Sequence, residues 1–143
     1  RWPEALAMVE GFWRELPDAY RYNQLMLRQE DSYINHDCST AGFEGIRAQD
    51  ILPLLIERFH FETFIPYGNI IFTFIDRPFG HNFDAAAEWD RDFIDRVHAA
   101  DEAAMLEGSI KPTSMIAVLT LKERETRLRD PRLTPRFCVR QPA

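Results

Sequence analysis

The segment Thr113-Ser114-Met115-Ile116-Ala117-Val118-Leu119-Thr120-Leu121 (TSMIAVLTL) reads as a β-strand, with Met115, Ala117 and Leu119 alternating with Ile116 and Val118. Both faces of that strand are apolar, which suits a sheet covered on both sides rather than one wetted by solvent. Pro112 precedes the strand and sets its start. Working backwards, Trp89, Phe93, Val97 and Ala100 form one stripe and predict a helix over Ala85–Leu106. Asp84 is placed to cap its start and Gly108 to end it. Asp76–Asp84 (DRPFGHNFD) reads as a loop from its Pro, Gly and Asn.

Ile70–Ile75 is an apolar, β-prone run, and His60–Ile65 alternates with Phe61, Thr63 and Ile65 on one face. Ile46–Phe59 predicts a helix, where Pro53 is tolerable if Asp50 caps a late start. His36–Gly45 is a loop. Ala19–Arg28 is read as a second helix, and Pro3–Leu16 as an amphipathic helix. Leu6, Val9, Trp13 and Leu16 line its buried side, Pro3 sits at its first position, and Pro17 stops it. The reading thus contains both helices and β-prone runs.

At 143 residues, 45% hydrophobic and 28% charged, the chain fits one globular domain, and its 11 Phe predict an aromatic core. Net charge is −6 and unevenly spread: 10 basic and 20 acidic side chains lie in 1–121, against 7 basic and 3 acidic in 122–143. An acidic body lacks the continuous basic stripe of a nucleic-acid surface. The basic end, 123–143, reads as a flexible, solvated tail. The longest apolar runs, Ile51–Ile56 and Ile70–Ile75, fall far short of the ~20 residues of a membrane span. The opening residues Arg1-Trp2-Pro3-Glu4 lack the apolar stretch expected of a signal peptide, and the cytoplasm is the expected compartment. The first residue is Arg1 rather than Met, so a processed chain or a piece of a longer one is expected. Cys38 and Cys138 are too few for a disulfide framework; a single bridge between them is the alternative to the favoured reading, free thiols in a reducing compartment.

Six glycines, Gly11, Gly42, Gly45, Gly68, Gly80 and Gly108, make neither GxGxxG nor a P-loop, so no phosphate- or cofactor-cradling turn is present. His36 with Cys38, and His81 with Asp84, match no metal-ligand framework, and no metal is expected. His98 beside Asp95, Asp101 and Glu102 reads as a surface imidazole, and His60 as structural. The acidic run Glu88, Asp90, Asp92, Asp95, Asp101, Glu102 and Glu107 reads as a solvated helix face. The loop Phe79–Asp84 (FGHNFD) has the composition of a pocket lip. His81 is the candidate base there, and Asn82 or Asp84 the group that orients it. The competing reading is a helix cap with local turn bonds. Glu44 and Arg47 (GFEGIR) form a second polar pair at a helix entry, as substrate contacts or as an ordinary i, i+3 ion pair.

Four stretches, taken in order, resemble the C-terminal half of bacterial class I S-adenosylmethionine-dependent methyltransferases. They are Ser39–Glu62 (STAGFEGIRAQDILPLLIERFHFE), Phe74–Asp84 (FIDRPFGHNFD), Glu88–Glu102 (EWDRDFIDRVHAADE) and Ile110–Leu119 (IKPTSMIAVL). Trp2-Pro3 and Leu16-Pro17-Asp18-Ala19-Tyr20-Arg21 resemble the region after that family's fifth strand. The likeness covers residues 1–122. It implies an α/β fold, the C-terminal part of a Rossmann-like sheet, with His60–Ile65 as the sixth strand and Thr113–Leu121 as the antiparallel seventh. It also implies a helical insertion at 1–45, a helix and strand at 46–65, and a second insertion at 66–112. Both insertions would lie on the ligand side, at the carboxyl ends of the strands. S-adenosylmethionine is implied by the resemblance alone, because the family's Gly-rich loop and its acidic residue after the second strand are absent.

The expected function is therefore the substrate-side portion of a methyltransferase, inactive without its N-terminal half. The alternative is a non-enzymatic interaction or oligomerisation domain derived from that fold. A third class, a metal-dependent hydrolase using His81 and His98, is disfavoured by ligand spacing. Expected partners are the missing half or a second copy, through an exposed strand edge, and a small-molecule or sugar acceptor. No nucleic acid and no membrane is expected.

Overall fold

The computed structural model describes residues 2–36, 45 and 47–140. The protein is mixed α/β and divides into two compact units, Arg1–His36 with Gly68–Ala103, and Asp37–Tyr67 with Ala104–Ala143.

In the first unit, α1 (Pro3–Glu15) opens with Pro at its first turn and buries Ala5, Val9 and Trp13. The chain then departs from the expected second helix. A 3₁₀ turn at Asp18–Arg21 leads into a small antiparallel ribbon of β1 (Tyr22–Asn23) and β2 (Arg28–Gln29). The Asn23 side chain accepts from the N–H groups of Leu25 and Met26, and Leu27 takes a left-handed φ of 52°. Such an Asx turn competes with the helix that local composition favours.

Ile70–Ile75, expected to be a strand, is helical: α3 spans Ile71–Ile75. A six-residue run with five apolar side chains fits a strand or a buried helix equally well, and tertiary context decided for the helix. The core around it is aromatic. Phe74 and Phe93 meet edge-on at 5.4 Å, Phe12 packs against both, and Trp13 packs against Phe79 at 4.9 Å.

Helix α4 (Glu88–Glu107) starts one turn later than Ala85. Asp84 makes a local turn, accepting from the Ala86 N–H, rather than capping the helix. Gly108 ends α4 as expected, at φ 83°, donating its N–H to the Ala104 carbonyl at 3.0 Å.

In the second unit, α2 (Ala48–Arg58) begins before Asp50, so Pro53 lies inside the helix, past its first turn. Asp50 does not cap a late start; it pairs with Arg47. Strand β3 (His60–Tyr67) is the centre of a three-stranded mixed sheet. β4 (Ser114–Thr120) runs antiparallel on one side of it and β5 (Arg127–Leu128) parallel on the other.

A bulge between Phe61 and Thr63 overturns the simple alternation expected of β3. An extra residue shifts the facing of those on one side of it, so the buried residues of β3 are Phe61, Phe64 and Pro66, while Thr63 and Ile65 are only partly buried. The Phe61 and Phe64 rings meet at 5.2 Å. Leu133 and Cys138 complete this core, with Leu52, Leu55, Ile56, Met115 and Ala117 packed against it.

Two further expectations fail here. The segment from 123, read as a flexible tail, supplies β5, the buried Leu133 and helix α5 (Pro135–Cys138). Thr134 caps α5 by accepting from the Phe137 N–H. Strand β4, read as covered on both faces, leaves Ile116 58% and Val118 47% exposed.

Candidate functional site

The FGHNFD loop is held by its own residues and by the chain that follows α1. Gly80 is required for space: a Cβ there would collide with the Ile75 carbonyl. The next residue, His81, is exposed on a 3₁₀ turn (Gly80–Asn82). Asn82 uses both ends of its amide. Its Nδ2 donates to the carbonyls of Tyr20 and Tyr22 at 2.9 and 2.7 Å, and its Oδ1 accepts from Gln24 Nε2 at 2.7 Å. The Gln24 N–H donates to the Pro78 carbonyl at 2.8 Å, closing the same contact. Asn82 is thus a fastener between the loop and the 3₁₀ turn at Asp18–Arg21.

Beside it lies a polar pair inside an aromatic frame. Tyr20 Oη donates to Asp90 Oδ1 at 2.6 Å, and the Asp84 N–H donates to Asp90 Oδ2. The Tyr20 ring lies 5.0 Å from Phe83 and 4.9 Å from Trp89, and both stack on Phe93. The hydrogen bond to Asp90 raises the phenol pKa above its ordinary value, helped by burial and by the charges of Asp90 and Asp84. Tyr20 therefore keeps its proton at neutral pH.

Asp90 (3% exposed) and Asp101 (0%) were both read as members of a solvated face, and both are buried. The signal was present in the sequence: 90, 93, 97 and 101 follow helical spacing, so the two carboxylates share the stripe of Phe93 and Val97. Asp101 accepts from the N–H groups of Asn69, Ile70 and Ile71 at 2.9, 3.1 and 3.4 Å. A carboxylate from another helix thereby caps α3, whose own N-cap residue, Ile70, provides no side-chain bond.

The structure brings His81, Asn82 and Asp84 together in one loop, as their spacing dictates. Arg47 belongs to the other unit, where its Nε donates to Asp50 at 2.6 Å on an exposed helix start. Its expected partner Glu44 lies outside the described residues, as does Cys38. His98 is exposed and 3.9 Å from Glu102. Among the described residues no group of three or more His, Cys, Asp or Glu could hold a metal ion, and no helix is long and apolar enough to cross a membrane.

The fold defines a mixed α/β protein with a small mixed sheet. Comparison with protein-family models, with curated proteins and with solved structures finds no match to this chain.

Proposed function

We propose that this chain is the substrate-side portion of a Rossmann-like, S-adenosylmethionine-dependent methyltransferase, inactive without an N-terminal cofactor-binding half. The observation that carries the reading is the order of the chain. The segments before α2 and after β3 gather into one compact unit, while β3 and an antiparallel β4 form the sheet of the other. That chain order is the one expected where substrate-binding insertions precede and follow the last parallel strand of such a sheet. The chain leaves β3 at Tyr67, its carboxyl end, and continues at Gly68 into the other unit.

The residues present do not fit the cofactor, because none of the six glycines makes a Gly-rich turn after a strand. No transfer step is therefore assigned to them. Their share is to position an acceptor and, for a hydroxyl or amine, to remove its proton. His81 is the proposed base, exposed on a loop that Asn82 fastens from behind. Asn82 and Asp84 then act on the loop rather than on the imidazole. Arg47, with Glu44, is kept as a candidate acceptor contact.

Calorimetric titration of this chain with S-adenosylmethionine should give no binding heat. The coding sequence upstream should encode a strand, a GxG loop and a helix, and the joined protein should transfer methyl groups. Upstream sequence without that pattern overturns the reading. In the joined protein, His81→Ala should lower turnover ~10²–10⁴-fold with an unchanged melting temperature. Near-normal turnover would leave the loop a structural turn.

The alternative, an interaction domain without catalysis, is favoured by one observation: β4 stands at a sheet edge with large apolar side chains exposed.

A further inference from the structure

The two edges of the three-stranded sheet are treated differently. β5, on one edge, has two residues, one of them Arg127, and is flanked by Arg124 and Arg129, the short, charged kind of edge that resists pairing. β4, on the other, runs for seven residues, Ser114–Thr120, with no charge and no proline. Its outer side meets no strand among the described residues. Ile116 and Val118 stand exposed on one face of it, and Leu121, just past its end, is 81% exposed. An unprotected apolar edge is a template for another strand.

The sequence of β4 selects the partner. An antiparallel pairing about a two-fold axis at Ala117 sets Ile116 opposite Val118, Met115 opposite Leu119 and Ser114 opposite Thr120. Each pair joins like with like and keeps its face. Met115 and Ala117, which pack on the core, meet their counterparts on that face, and the exposed Ile116 and Val118 meet theirs on the other. The axis falls on a small residue, where two strands approach closely. Outside the strand the same register places Lys111 of one copy across from Glu123 of the other, opposite in charge. No like charges oppose each other along the paired stretch.

We propose that β4 is a homodimerisation strand, pairing antiparallel with β4 of a second copy about Ala117 and joining the two sheets into one of six strands. The proposal stands on β4 and does not need the methyltransferase reading.

Sedimentation velocity over a concentration series should show the purified chain as a dimer at tens of micromolar. Ile116→Lys with Val118→Lys, at two exposed positions, should weaken the dimer at least ~10-fold, since charge on an edge strand opposes pairing. Its circular dichroism should stay unchanged. An equimolar mixture of Ile116→Cys and Val118→Cys chains should give an oxidised cross-link that neither forms alone, a result independent of how well the lysine variant folds. A monomer at every concentration overturns the proposal. So does a dimer indifferent to the lysines, or a mixture without the cross-link. If the chain is monomeric and its β4 amides gain exchange protection only on adding an N-terminal half, the edge belongs to that half and not to a second copy.

Discussion

Asp101 shows how much one side chain decides here. Three backbone N–H groups at the start of α3 end on its carboxylate, which no water reaches. Asp101→Ala orphans all three and should cost about 3 kcal/mol, because an unsatisfied buried donor costs about 1–3 kcal/mol and the helix start relaxes in part. Asp101→Asn keeps the volume and one acceptor oxygen, and should lose about half as much. Urea midpoints of the two variants check the order. Cys138 supplies a pH-dependent prediction. Burial pushes its thiol up to about 11, outweighing the nearby Lys111 and Arg129, so the native thiol holds its proton where an unfolded one has released it. The folded value is raised. Its contribution is therefore complete below the unfolded value of 9.0 and is lost as pH climbs through about 11. A stability profile should fall across that window. The thiol should also react slowly with iodoacetamide at about pH 8 until the protein unfolds.

At the scale of elements, ends and irregularities carry the information that periodicity lacks. Helix α4 stops where Gly108 turns left-handed, at φ 83°, and a Cβ there would stand 2.9 Å from Phe137 Cζ. Gly108→Ala should therefore cost about 1–2 kcal/mol, from the left-handed backbone together with displacement of the ring, and lower the melting temperature accordingly. That glycine was legible in the sequence, as were Pro3 at the start of α1 and the apolar alternation of β4. The bulge in β3 was not. Phe61, Glu62, Thr63 and Phe64 carry no Gly or Asn to announce an extra residue, and only the pairing with β4 and β5 places it. Ile70–Ile75 failed for a related reason: the group that makes it helical is some thirty positions away, on Asp101. At the candidate site, the composition of FGHNFD marked the loop. The partners of Asn82, the carbonyls of Tyr20 and Tyr22, are about sixty residues distant, so its fastening role could not be read locally.

For the whole molecule, the last segment matters more than its composition suggests. Leu133 and Cys138 sit in one core with Phe61 and Phe64, and Thr126 Oγ1 donates to the Phe61 carbonyl at 2.8 Å. Truncation before Thr126 removes a sheet strand, a helix and two core side chains at once. The shortened chain should lose cooperative unfolding of this unit, seen as a broadened, shallow thermal transition, rather than merely shed a tail. Arg and Pro content predicted a solvated end because charge was averaged over the segment; burial is decided residue by residue, and Leu133 and Cys138 are the residues that face inward.

The sequence by itself determined the elements that announce themselves over short distances: the extent of α1, α2 and β4, the end of α4, and the aromatic character of the core. Their signals are local, a proline at a first turn, a glycine at φ > 0, a period of two or of 3.6 residues. Only the tertiary structure decided the helix at Ile71–Ile75, the partners of Asp90 and Asp101, the bulge in β3, and which edge of the sheet β4 would occupy. Each of these depends on a partner far away in the chain. A carboxylate finds backbone donors, or a strand finds one neighbour and not a second, only after the chain has closed on itself.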